Sequence, residues 1–131
     1  MNEPICGVYA IICKEEWTVY IGSSEDIEER WNQHRTAFRK GSHVSEKFRK
    51  AWRRQGEDSI EFVVLEEVCL HEMKRIEMLF ILAARSIKHL TVSNSNASWT
   101  KPIKVESKQV QTRAFDIQKY FPITVETSLT A

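Results

Sequence analysis

With 131 residues, 15.3 kDa, 42% hydrophobic and 28% charged residues, the chain can build one well-buried core and is too short for two. That composition excludes a fibrous or disordered class. No apolar run reaches the roughly 18 residues of a membrane span, and the N-terminus lacks the pattern of a signal peptide, so a soluble cytoplasmic protein without a membrane partner is expected. Cys6, Cys13 and Cys69 are odd in number and contain no Cys-x-x-Cys pair, which argues for reduced, structural thiols rather than zinc or redox chemistry. The net charge of +1 hides an asymmetry: between Arg30 and Arg54 stand nine Lys or Arg against one acid, Glu46. A block of one sign predicts a polyanionic partner such as DNA, contacted through Arg35, Arg39, Lys40, Lys47, Lys50, Arg53 and Arg54. An ordinary basic surface is the alternative.

In chain order, Ile5 to Ile12 and Thr18 to Ile21 are apolar and partly β-branched, with polar residues between them, which predicts an antiparallel hairpin. Lys14-Glu15 makes a poor two-residue turn, so a four-residue loop, Cys13 to Glu16, is expected. That loop sets Ile12 opposite Trp17 and makes Tyr9 and Tyr20 direct cross-strand neighbours. Gly22 is expected to end the strand. Ser23 or Ser24 can cap a helix that carries Glu25, Asp26 and Glu28 in its first turn and runs to about Lys40, stopped by Gly41. A second helix begins near Val44 or Ser45 and stops at Gly56, with Phe48, Ala51 and Trp52 on one face. Ser59 to Val68 reads as a third strand whose centre, Val63-Val64-Leu65, is apolar on both faces. Leu70 to about Ser86 is a core helix. Thr91 to Ser98 is turn-rich and polar. The predicted class is α/β (α+β), a small three-stranded, mainly antiparallel sheet flanked by three or more helices. Residues 1–98 form the domain. Residues 99–131 form a tail, either docked or extended toward DNA, with a short helix from Thr112 to Lys119 that offers Phe115 and Tyr120 for docking.

Several residues in this framework carry candidate chemistry. Glu77 lies inside Ile76-Glu77-Met78-Leu79-Phe80-Ile81, where an unpaired buried carboxylate costs several kcal/mol. It must face a metal, a cation or water, and Lys74 or Arg75 could supply an ordinary rim pair. Arg30 and His34 are one helical turn apart and share a face. Tyr9 and Tyr20 could equally be a stabilising aromatic pair.

In combination these residues resemble the GIY-YIG nuclease family. Gly7-Val8-Tyr9 stands for the first half of the signature, with Val in the middle position, and Tyr20-Ile21-Gly22 for the second. Arg30, His34, the stretch Gly41-Ser42-His43 and Phe62 to Glu67 follow in the family's order. Glu77 precedes Phe80-Ile81 as the family's glutamate precedes a Trp-Ile pair, whereas Glu72 lacks that apolar follow-up. The resemblance spans about residues 5 to 96 and is closest to homing-type enzymes. It implies a metal-dependent endonuclease that hydrolyses DNA, with one Mg2+ or Mn2+ ion on Glu77 and either tyrosine as general base. It also implies transition-state charge stabilisation by Arg30, with His34 contacting phosphate or assisting the leaving group. His43 groups with the DNA-contacting residues, and the family's asparagine is Asn94 or Asn96. The alternative is a catalytically inactive nucleic-acid-binding module on the same fold.

Overall fold

The computed structural model describes residues 3–43, 45–94 and 108–121. Its sheet has the strand order β3-β1-β2-β4, built from β1 (Gly7–Cys13), β2 (Thr18–Ser24), β3 (Glu61–Glu67) and β4 (Thr91–Val92). The first three strands are antiparallel neighbours around β1. All seven residues of that central strand are buried, because both faces of the sheet are covered. Alternation along the strand sends Tyr9, Ile11 and Cys13 to one face and Val8, Ala10 and Ile12 to the other. The first face packs against Ile27 and Phe38 of α1 (Ile27–Lys40) and Phe48 and Ala51 of α2 (Glu46–Gln55). The second packs against Ile76, Phe80, Ile81, Ala83 and Ala84 of α3 (Met73–Arg85) and Val110 and Ile117 of α4 (Lys108–Gln118). Val63 and Leu65 of β3 join the second cluster and Phe62 and Val64 the first, the expected two-sided burial, but incomplete because β3 is an edge strand.

The helix ends follow local chemistry. Asp26, not Ser23 or Ser24, caps α1, its carboxylate accepting from the Glu29 amide at 3.2 Å. The strand therefore continues past Gly22 to Ser24. Gly41 ends α1 at φ 71°, a left-handed conformation that glycine adopts without strain. Ser45 caps α2, and Gly56 follows its last residue. The helix expected from Leu70 begins only at Met73, and Leu70 is exposed.

The hairpin register differs from expectation. Its loop is Lys14 to Trp17, with Cys13 paired to Thr18, Ile11 to Tyr20 and Tyr9 to Gly22. Trp17 makes the difference: it takes up φ 48°, closes the turn by donating its amide to the Lys14 carbonyl, and thereby belongs to the loop rather than the strand. Tyr9 and Tyr20 still share a face, but as diagonal neighbours. The sheet also has a fourth strand, β4, parallel to β2, where only a polar loop was expected. Two residues are too few to carry a periodic signal. The later helix is longer than expected and docks through Val110, Ile117 and Phe121, while Phe115 is 77% exposed. All three cysteines are free, and Cys69 is exposed rather than packed.

Two glycines of the hairpin are there for space. A Cβ on Gly7 would sit 2.2 Å from the carbonyl oxygen of Glu66, where β1 and β3 shift register between Val8 and Tyr9. A Cβ on Gly22 would sit 2.4 Å from Cζ and Oη of Tyr9. The first obstruction is backbone and cannot step aside. Gly7→Ala should therefore lower unfolding free energy by about 1–3 kcal/mol in urea melts; an unchanged midpoint would show that the bulge accommodates a methyl group.

Candidate active site

Because Gly22 has no side chain, the fully buried Tyr9 ring can lie across β2 with its hydroxyl toward α1. There Oη lies 2.8 Å from Nε2 of His34. The Nδ1 of His34 is 3.1 Å from Nε2 of His43, and Nδ1 of His43 accepts from the Ser45 backbone amide at 3.1 Å. An amide can only donate, so the direction of the whole chain follows from this last bond. A neutral His43 carries its proton on Nε2 and donates to Nδ1 of His34. His34 then carries its own proton on Nε2 and donates to Tyr9 Oη.

Both imidazoles are held neutral. Burial pulls the pKa of His34 down to about 3, helped by the charge of Arg30 and by His43. Burial likewise lowers His43 to about 4, with Arg49 and Arg30 adding to the effect. His43 is stacked at 4.1 Å on Phe38, which stacks in turn on Trp52, and the Arg49 guanidinium binds the His43 carbonyl. At 2% exposure His43 has no free surface to offer a nucleic acid, contrary to its expected place among the DNA-contacting residues. The Tyr9 phenol is raised in pKa, chiefly by burial and next by the charge of Tyr20, while Arg30 acts against this by charge and hydrogen bonding. Tyr20 is raised by burial and lowered by the same Arg30. Its ring lies 5.3 Å from that of His34.

Glu77 approaches from the other face of the sheet. Its carboxylate is 13% exposed and accepts from Ser23 Oγ at 2.6 Å, with Lys74 Nζ at 3.8 Å from the same oxygen. Its charge is felt at both phenols. Glu72, the other carboxylate considered, is exposed and paired with Arg75 at 2.8 Å, away from this constellation.

The profile of the GIY-YIG catalytic domain matches residues 5–88. The chain belongs to the GIY-YIG family. Among curated proteins, Intron-associated endonuclease 1 of Enterobacteria phage T4 is 36% identical over 62 residues, which are 47% of this chain and 25% of that protein. The match thus spans about a quarter of the relative's length. Two solved structures of the catalytic domain of intron endonuclease I-TevI, one carrying a glutamate-to-alanine change, resemble the fold at a TM-score of 0.56 each. They are 27% and 26% identical, and the similarity covers 66% and 69% of this chain and 91% and 99% of theirs.

Within this GIY-YIG domain Tyr9 and Tyr20 both lie against His34, and the charges of Arg30 and Glu77 reach both phenols. Asn94 has a different part: its amide accepts from the Ile21 N–H at 2.9 Å and donates to the Ile21 carbonyl at 2.6 Å, extending the pairing of β2 beyond the end of β4. Asn96 lies outside the described residues. The basic residues divide. Arg35 is held over the Phe62 ring at 4.5 Å and bonded to Asn32. Arg39 and Lys50 have exposed acidic partners, Arg54 pairs with the half-buried Glu16, and Lys47 reaches Thr91. Lys40 and Arg53 are exposed without a partner among the described residues.

Sequence reasoning missed Ser23 and the inward role of His43. A strand continued to Ser24 would have exposed the first, since alternation then puts Ser23 on the α3 face. For the metal, no group of three or more His, Cys, Asp or Glu is assembled among the described residues. One carboxylate beside a hydroxyl fits a cation that keeps most of its waters and takes substrate phosphate as further ligand. Nor is any described helix long and apolar enough to cross a membrane.

The lowered imidazole pKa values have a consequence for stability. Below about pH 6.5 the unfolded chain takes up protons that the folded histidines refuse until about pH 4 and 3. Stability from this pair is complete above pH 6.5 and is lost as pH falls through that window. Melting temperature should drop between pH 7 and 4, and His43→Gln should flatten the slope; parallel wild-type and variant profiles would contradict the burial of two neutral imidazoles.

Proposed function

We propose that this domain is a metal-dependent endonuclease that hydrolyses DNA phosphodiester bonds with one divalent cation and Tyr9 as the general base. The observation that carries this reading is the directed hydrogen-bond chain ending on Tyr9 Oη. A phenol in a buried site resists ionisation, so a tyrosine base needs donors aimed at its oxygen. His34 Nε2–H is one, and the nearby charge of Arg30 adds to it. Tyr20 has Arg30 but no imidazole hydrogen bond among the described contacts, which favours Tyr9 for the base and leaves Tyr20 to orient the water or phosphate.

In the hydrolysis, the water oxygen forms the new bond to phosphorus while its proton passes to the Tyr9 phenolate. The opposite P–O bond breaks with its electron pair on the leaving oxygen, which takes a proton from solvent water, while Arg30 stabilises the charge that gathers on the non-bridging oxygens. Glu77 would hold the magnesium or manganese ion, which when bound supplies Lewis acidity at the phosphate. The exposed Arg39, Lys40, Lys50, Arg53 and Arg54 on α1 and α2 would track the backbone of the polyanion, and the partly shielded Arg35 would fix its register. Family membership and the likeness to an intron-associated endonuclease support this reading.

Glu77→Ala should reduce nicking of supercoiled plasmid in magnesium by about 100-fold or more, since a Lewis-acid contribution is worth several kcal/mol. Wild-type cutting by this variant would refute the assignment. Separately, Lys50→Ala and Arg53→Ala should each weaken DNA binding evenly across sequences and reduce the salt slope by about one. An unchanged slope would take α2 out of the interface.

A further inference from the structure

The tyrosines and Glu77 reach the same region from opposite faces of one sheet, and the edge of β2 is where they can meet. Alternation puts Tyr20 and Gly22 on the α1 face and Ile21 and Ser23 on the α3 face. Along the outer edge of β2, the carbonyls of Trp17 and Val19 accept from the amides of Thr91 and Ser93 at 2.8 and 2.9 Å. The Asn94 amide then closes both backbone groups of Ile21. Ser23 is the next residue facing that edge, where neither β4 nor Asn94 extends. Ser23 faces α3 at that point, and the Glu77 side chain meets its hydroxyl there.

Around the Glu77 carboxylate the contacts are one-sided. Ser23 Oγ donates to Oε1 at 2.6 Å, and Lys74 Nζ stands 3.8 Å from the same atom. Oε2 makes no hydrogen bond among the described residues. Lys74 is 77% exposed, a solvated and weak partner. The Ser23 bond is short, charge-assisted and partly buried, so it fixes the torsion of the carboxylate. A carboxylate with one oxygen pinned and the other bare is prepared to bind a cation through the bare one.

We infer that Ser23 is a positioning residue for the divalent cation: its hydroxyl pins Glu77 Oε1 at the end of β2 and leaves Oε2 for the ion. This rests on the reading of Glu77 as the metal-holding carboxylate. Hydrogen bonds to a ligating carboxylate set its orientation, and their loss weakens metal affinity without removing a ligand. Ser23→Ala removes the donor and leaves Glu77 with Lys74 alone. Ser23→Thr keeps the hydroxyl and suits a strand.

The test is a Mn2+ titration of the full chain, with free ion read by electron paramagnetic resonance, in wild type, Ser23→Ala, Ser23→Thr and Glu77→Ala. Thermal melts check that each variant is folded. Ser23→Ala should raise the Mn2+ dissociation constant by about tenfold, with the melting temperature little changed. The Mn2+ concentration for half-maximal plasmid nicking should rise by the same factor, and Ser23→Thr should bind within about twofold of wild type. Unchanged Mn2+ affinity in folded Ser23→Ala, while Glu77→Ala loses binding, would overturn the role of Ser23 and leave the nuclease reading standing. A Ser23→Thr variant as weak as Ser23→Ala would also overturn it, because the hydroxyl would then not be the operative group. Retained Mn2+ binding in Glu77→Ala would overturn both, since the carboxylate would not be the ligand.

Discussion

One backbone amide, that of Ser45, gives the site its direction. It can only donate, so His43 must accept from it, and two neutral imidazoles then pass the same polarity on to the oxygen of Tyr9. Neutrality depends on burial, and burial depends on the packing of α1 and α2 over one face of the sheet. Phe38 is central to that packing: it stacks on His43 on one side and on Trp52 on the other, joining the imidazole chain to the core cluster of Phe48 and Ala51. The capping serine of α2 thus has two functions. Its hydroxyl starts a helix and its amide orients two histidines.

The sheet contributes a second constraint, which is steric. Tyr9 reaches the histidines only because Gly22 leaves its ring room to cross β2, and the bulge that places Gly7 against Glu66 sets where β1 turns toward that crossing. In the proposed reaction the phenolate would form at an oxygen already facing an imidazole N–H and a guanidinium. Such groups require no reorganisation when charge appears, which is the basis of electrostatic preorganisation. Glu77 stands apart from this cluster in its origin, on α3 and beneath the opposite face, and meets it only at the end of β2. The division is chemically sensible: Arg30, which would repel a cation, and Glu77, the carboxylate proposed to hold one, come from separate layers, with the end of β2 as their shared boundary.

Much of this could be read from the residues in order. The hairpin, the stop at Gly41, a second helix beginning near Val44 or Ser45, the two-sided third strand and the apolar surroundings of Glu77 follow from local propensity and periodicity, which are properties of adjacent residues. The misreadings came where a single residue or a distant contact decided the outcome. Trp17 in a left-handed conformation moved the hairpin register by one residue on each strand, which no strand propensity of a tryptophan foretells. The pair Thr91-Val92 is a strand only because Trp17 and Val19 offer it carbonyls. A histidine in a basic segment resembles a surface residue until the aromatic stack that buries it is assembled from two helices. Phe115 is apolar yet exposed, while Val110 and Ile117 of the same helix are buried, and α3 rather than composition selects between those faces.

The proton positions on the two histidines test the account most directly. In two-bond 1H–15N correlation spectra at neutral pH, His34 and His43 should both show the pattern of a neutral ring protonated at Nε2, with Nδ1 as the unprotonated nitrogen. Protonation of either ring at Nδ1, or a charged ring with both nitrogens protonated, would reverse or break the chain and leave Tyr9 without the donor on which its proposed role depends.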